Sequence, residues 1–178
     1  TLFHDADAAR LLFATPGRNA ATFSEFIADL QAHGGDAGAI SDLSMDMSRA
    51  FQAGAARHCP QARVTFDPFH VVALAGRALD QVRRAEVKTE PDLKGSRWAL
   101  LKDSERWSYK QLCTMHWLQR SGLKTARAWH LKQALRRLYA AGLSPEEADH
   151  QLDRWISWAR RSRLPPFKRL GATLREHK

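Results

Sequence analysis

The sequence predicts an α/β unit followed by an all-α bundle. Three observations predict it. Strand-like and helix-like segments alternate from the first residue to about residue 88. Beyond that point strand patterns vanish and long helical apolar stripes replace them. Charge and tryptophan are also divided unequally. Residues 1–60 hold four basic and seven acidic side chains, a net of −3, whereas residues 61–178 hold 24 and 12, a net of +12. All six tryptophans lie in the later part, at positions 98, 107, 117, 129, 155 and 158. This organisation divides the chain into domains over residues 1–88 and 89–178.

The elements follow in order. Thr1–His4 and Arg10–Ala14 are short apolar runs around Asp5-Ala6-Asp7, a pattern that favours a β-hairpin. Pro16-Gly17 breaks the chain. Thr22-Phe23-Ser24-Glu25 has the form of a capping box, with Phe23, Phe26, Ile27 and Leu30 on one helical face and His33-Gly34-Gly35 as the stop. Ala39–Ser44 reads as a strand that ends in Met45-Asp46-Met47-Ser48, and a helix runs from about Ser48 to His58, stopped by Pro60. Arg63–Phe66 alternates like a strand and leads through Asp67-Pro68-Phe69-His70 into a long amphipathic helix. That helix carries Val71, Leu74, Ala75, Ala78, Leu79 and Val82 and reaches Arg83-Arg84. The order β-β-α-β-α-β-α implies a layered unit with some parallel pairing.

Lys88 to Lys94 is polar, contains Pro91 and reads as a linker. Three or four helices are expected after it, separated at Ser121-Gly122, Gly142 and Pro165-Pro166. Ala128, Leu131, Leu135 and Leu138 form one stripe, and Leu152, Trp155, Ile156 and Ala159 form another. Ser144-Pro145-Glu146-Glu147 supplies a cap, a first-turn proline and a capping glutamate. At helical spacing beside leucines, the tryptophans read as bundle core.

The formal charge of +9 points to a polyanionic partner, nucleic acid first. Membrane-surface binding would need a basic helix with a clean apolar face, and no apolar run approaches the length of a membrane span. Cys59 and Cys113 form neither a disulfide framework nor a CxxC knuckle, which suits a reducing cytoplasm. The chain opens at Thr1, within a strand-like pattern and without an initiator methionine, so an N-terminal truncation is expected.

Three residues stand where an α/β sheet gathers ligands, at the carboxyl ends of strands. Asp46 follows one predicted strand and is either a metal-binding acid or the cap of the next helix. Asp67 and His70 follow another, as Asp-x-x-His, and either organise a polar site edge or cap a helix that begins at Pro68. One Asp and one His are too few to hold a metal alone. Arg83 and Arg84 are candidate phosphate contacts, or else part of a solvated helix face. Asp5, Asp7 and Asp42 read as turn or strand-edge residues, and His58-Cys59 has no partner at ligand spacing.

The runs Met45-Asp46-Met47-Ser48-Arg49-Ala50-Phe51, Ala62–Val71 and Ala78–Arg84, in that order and spacing, closely resemble the DDE transposases of the bacterial ISL3 insertion-sequence group. Residues from Leu100 to Leu174, with Ala172-Thr173-Leu174 near the end, resemble that family's helical segment. The resemblance implies a partial RNase H-like catalytic sheet with flanking helices, interrupted by a helical insertion. It implies two divalent ions, Mg²⁺ or Mn²⁺, held by three acids. Asp46 matches the second acid, and Asp67 and His70 match a supporting (Cys or Asp)-x-x-His signature. The first acid is expected on a strand before Thr1, the third in an Asn- and Gly-rich motif after Lys178, and neither Asp5 nor Glu176 stands in for them.

The resemblance further implies an internal transposase fragment, inactive by itself. The full protein would be a cytoplasmic, nucleoid-associated DNA-cleaving and strand-transferring enzyme that self-associates on DNA. The alternative is a non-catalytic DNA-binding remnant or regulator from a degenerate element. A basic scaffold for protein partners is a third reading, distinguished by binding that barely responds to salt.

Overall fold

A computed structural model describes residues 1–140 and 142–178. They form two compact units, Thr1–His70 and Val71–Lys178.

The first unit opens with the expected hairpin. Strand β1 (Leu2–Asp5) pairs antiparallel with β2 (Arg10–Ala14), with a bulge between Phe3 and His4. Asp5 Oδ1 accepts the Asp7 and Ala8 N–H groups at 3.1 and 2.9 Å, the Asx turn that its position predicts. Helix α1 (Ala20–Ala32) is capped by Asn19, whose side chain accepts the Thr22 N–H. The cap expected at Thr22 therefore falls three residues too late. Two alanines extend the helix backward and Asn is an equally good cap, while the Thr22 hydroxyl bonds back to the Asn19 carbonyl at 2.7 Å. Gly34, at φ 79°, follows the helix in the left-handed conformation that glycine adopts freely.

A one-turn 3₁₀ segment at Ala37–Ala39 occupies the place where the predicted strand begins. The Asp36 side chain accepts the Gly38 N–H at 2.8 Å and so diverts the backbone locally. Strand β3 (Asp42–Met45), helix α2 (Arg49–His58) and strand β4 (Arg63–Phe66) follow as a β-α-β unit. The two strands run parallel in the register Asp42↔Arg63 through Met45↔Phe66. Among the described residues β1-β2 and β3-β4 are two separate two-stranded sheets, where the sequence reading expected one.

Phe23, Phe26, Ile27, Ala37, Ala55 and Cys59 form the buried core, with Phe3, Leu12, Phe13, Leu43 and Met45 packed on it. The Phe3 and Phe26 rings stack with centroids 4.2 Å apart. Burial raises the pKa of the Cys59 thiol, so this cysteine is packing rather than nucleophile.

Helix α3 (Pro68–Glu86) begins at the proline that its sequence places first. From Val71 onward the second unit is all helix. Helices α4 (Arg97–Leu101), α5 (Tyr109–Arg120), α6 (Lys124–Ala140), α7 (Pro145–Arg161) and α8 (Pro165–Glu176) follow. Among the described residues these are five α-helices after residue 88, not three or four; α4, at five residues, is too short to show a period. The Ser144 capping box forms as read.

Charged groups satisfy helix ends that would otherwise be unpaired. The Glu86 carboxylate accepts the Lys124 and Thr125 N–H groups at 2.8 and 2.7 Å, capping α6. Lys132 is buried, and its ammonium donates to the Leu100 carbonyl at 2.8 Å at the end of α4. Trp155 Nε1 donates to the Leu131 carbonyl at 2.8 Å.

The expectation of a tryptophan core holds only in part. Trp155 is buried and Trp107 and Trp129 are half-buried, but Trp98, Trp117 and Trp158 are exposed. Spacing assigns a helix face. It does not say whether a neighbour covers that face.

Two stability predictions follow from this packing. A Cβ at Gly54 would lie 2.7 Å from Phe23 Cβ. Gly54→Ala is therefore expected to destabilise the first unit by about 1–3 kcal/mol, read as a lower melting temperature. In the second unit burial alone would raise the Asp80 pKa. Hydrogen bonds from Arg83 and the charges of Arg83, Arg84 and Arg97 outweigh it and hold the carboxyl below its ordinary value of 3.8. A lowered folded pKa gives stability that is complete above the ordinary value and lost as pH falls through the folded one. Asp80→Asn should lower the melting temperature at pH 7, with the gap to the parent closing in thermal scans below about pH 4.

Candidate functional site

The site is built by the parallel pairing of β3 and β4. Met45 stands opposite Phe66, and the ladder continues one step further, the Asp67 N–H donating to the Met45 carbonyl at 2.9 Å. Asp46 and Asp67 therefore leave neighbouring strands at the same level, at the carboxyl ends where α/β folds gather ligands.

Each acid also anchors the helix that follows. Asp46 Oδ1 accepts the Ser48 N–H at 2.8 Å ahead of α2, and Asp67 Oδ1 accepts the Phe69 N–H at 2.8 Å at the start of α3. The capping reading holds for Asp67 but not for Asp46, which forms an Asx turn onto Ser48, the N-cap residue of α2, and makes no bond to the helix itself; the second oxygen of each acid is left available for another partner. For Asp46 that partner is Arg18, whose Nη2 lies 3.0 Å from Oδ2; the Asp46 side chain is 17% exposed and the arginine 77%. For Asp67 it is His70, with Nε2 3.7 Å from Oδ2, an ion pair only when the imidazole is protonated.

Carboxylate oxygens are the donors Mg²⁺ prefers, so the donor type fits. The number does not. Among the described residues no group of three or more His, Cys, Asp or Glu side chains is placed to hold a metal ion.

The two arginines expected to contact phosphate are engaged within their own unit. Arg83 donates to Asp80 Oδ1 through both Nε and Nη2, at 2.9 and 2.7 Å, and its side chain is only 12% exposed. Arg84 Nε lies 2.8 Å from Asp80 Oδ2, but this side chain is 66% exposed. Sequence reasoning missed Arg18. Nothing in its spacing from Asp46 marks it, because the contact is made by tertiary folding between the β2–α1 loop and the end of β3.

Among the described residues no helix is long and apolar enough to cross a membrane. No solved structure matches the chain. Among curated proteins it is similar to the transposase for insertion sequence element IS1557 of Mycobacterium tuberculosis, 34% identical over 206 residues, covering 100% of this chain and 46% of the relative. It is also similar to the transposase for insertion sequence element IS1001 of Bordetella parapertussis, 29% identical over 147 residues, covering 78% of this chain and 36% of that relative. The chain thus spans less than half the length of these relatives. The family profile described as transposase, of the ISL3 type, matches residues 1–178. The chain belongs to the ISL3 family of insertion-sequence transposases.

Proposed function

We propose that this chain is part of the catalytic machinery of a DDE transposase that cleaves transposon ends and joins them to target DNA. Residues 1–88 belong, in this reading, to an RNase H-like catalytic domain and residues 89–178 to its helical insertion. The observation that carries it is the register of β3 and β4, which sets Asp46 and Asp67 side by side at the strand ends. Asp46 is the metal-binding acid, and Asp67 and His70 support it. Arg18 balances the Asp46 charge and, being largely exposed, can leave when a cation binds.

Mg²⁺ or Mn²⁺, two ions in the complete site, would supply charge stabilisation at the scissile phosphate. Asp46 contributes one carboxylate to such a centre and does not make it alone. Self-association of the full protein on DNA in the cytoplasm belongs to the same reading. The absence of a three-ligand cluster among the described residues favours the second reading, a non-catalytic DNA-binding remnant.

The test uses a protein of the relatives' length that carries this segment, with labelled transposon-end duplex in Mg²⁺. The parent is expected to cleave and Asp46→Asn to give no detectable product. Asparagine retains the acceptor for Ser48 and gives up only an ion pair to an arginine that is largely solvent-exposed, so the melting temperature should change by no more than a few degrees. Asp67→Asn should slow cleavage by roughly 10–100-fold, as removal of an outer-sphere partner does. Cleavage retained by Asp46→Asn removes this residue from the catalytic set. A parent that binds DNA in a salt-sensitive way but never cuts it supports the remnant.

A further inference from the structure

Helices α6 and α7 carry matching polar stripes. On α6, Arg127, His130, Ala134 and Arg137 recur at helical spacing; on α7, Gln151, Arg154, Trp158 and Arg161 do the same. The two helices pack together, and the stripes line two adjoining depressions of about 550 and 670 Å³ that share Arg137, Trp158 and Arg161. Arg163 completes the first depression.

Three properties separate this groove from an ordinary charged surface. Five arginines line it, at 127, 137, 154, 161 and 163, and no carboxylate does. Among the described residues none of the five has an ion pair, although Arg83, Arg84, Arg97 and Arg136 all do. Arg163 has φ 59°, a conformation that glycine adopts freely and that strains a residue with a side chain. The fold at that point asks for glycine, and the sequence places a cation there instead.

The remaining wall is aromatic. Trp158 is 42% exposed among these guanidinium groups, while its neighbour Trp155 is buried. A cation-lined groove with one open indole face matches the chemistry of an unpaired nucleic-acid strand, with phosphates on the arginines and a base on the ring. Each depression lies in the ~300–1,000 Å³ range of small-ligand pockets. A duplex keeps its bases stacked on one another inside the helix, so an unpaired strand is the form of nucleic acid that can lay a base on the Trp158 ring.

We propose that the α6–α7 groove binds single-stranded DNA, with Arg127, Arg137, Arg154, Arg161 and Arg163 on the backbone and Trp158 stacked on a base. This rests on the DNA-transfer reading for the choice of DNA over RNA. Within that reading it names an unpaired strand as the form of DNA that the helical segment holds.

The test measures binding of the 178-residue chain in EDTA, so that failure of the metal-dependent reading cannot affect the outcome. The probes are a fluorescein-labelled oligo(dT) and a duplex of equal length, over a range of salt. Oligo(dT) is expected to bind more tightly than the duplex and to quench tryptophan emission. Arg137→Gln and Arg161→Gln, both exposed and unpaired, should each flatten the dependence of log affinity on log salt by about 0.7. Trp158→Ala should weaken oligo(dT) binding roughly 5- to 100-fold and leave duplex binding unchanged, while Trp158→Phe retains most of the affinity. Melting temperatures of all variants establish that they fold. The proposal is overturned if the folded arginine variants bind as the parent does. It is equally overturned if Trp158→Ala has no effect and heparin or duplex binds as well as oligo(dT), since the groove would then be a general polyanion surface.

Discussion

The pairing register of β3 against β4 is the constraint on which the site depends. Side chains alternate faces along a strand, so a slip of one residue would turn Leu43 and Met45 away from the core and carry Asp46 out of level with Asp67. The register is held at both ends. At the entry the Arg63 N–H donates to the Ser41 carbonyl at 2.8 Å, and the Arg63 guanidinium engages Asp42. At the exit the Asp67 N–H closes on Met45. Between them Gln61 Nε2 donates to the Ala37 and Ile40 carbonyls at 2.7 and 3.1 Å, which ties the return from α2 to the approach into β3. A two-stranded ribbon is marginal alone, so these side-chain ties and the aromatic core supply what a wider sheet would otherwise provide.

The same economy governs the acids. A backbone N–H needs only one oxygen of a carboxylate. Backbone anchoring and ligand binding are therefore compatible demands on Asp46 and Asp67. One oxygen is spent on the backbone and fixes the side chain, while the other points to a partner. The placement of Arg18 follows from similar local chemistry. Asn19 caps α1 from extended backbone, so Arg18 before it stands outside the helix and its guanidinium reaches Asp46 Oδ2.

Much of this was legible in the sequence, and the exceptions share a cause. The element order through α3, the limits of β4, the Pro68 start and the Ser144 capping box follow from local rules that need no partner. Strand-end placement, visible from alternation and proline placement, singled out Asp46, Asp67 and His70 as candidates, and the family resemblance gave each a role. What escaped needs tertiary information. Ala37–Ala39 turns where apolar alternation suggested a strand, because Asp36 offers the backbone a competing hydrogen bond. The Arg18 contact spans 28 residues with no periodic signature. The polar stripes of α6 and α7 were readable as helix faces, but only their packing shows that the two faces form one groove.

That groove gathers five arginines of the second half against which no carboxylate stands. Several carboxylates of that half are engaged elsewhere: Asp80 by Arg83 and Arg84, Asp103 by Arg136, Glu86 by the start of α6, Glu147 by its own capping box, and Asp149 with Asp153 by Lys178. Pairing of this kind neutralises Arg83 and Arg84 on α3, Arg136 on α6 and Lys178. It leaves uncompensated the five arginines that line the groove. A net charge spread evenly over a surface gives weak, undirected attraction, whereas the same charge gathered along a concave wall focuses the field where a strand would lie. The segregation depends on which faces the acids occupy, not on how many there are. Asp149 and Asp153 share α7 with Arg154 and Arg161, yet they sit on the face turned to Lys178 and leave the groove without a carboxylate.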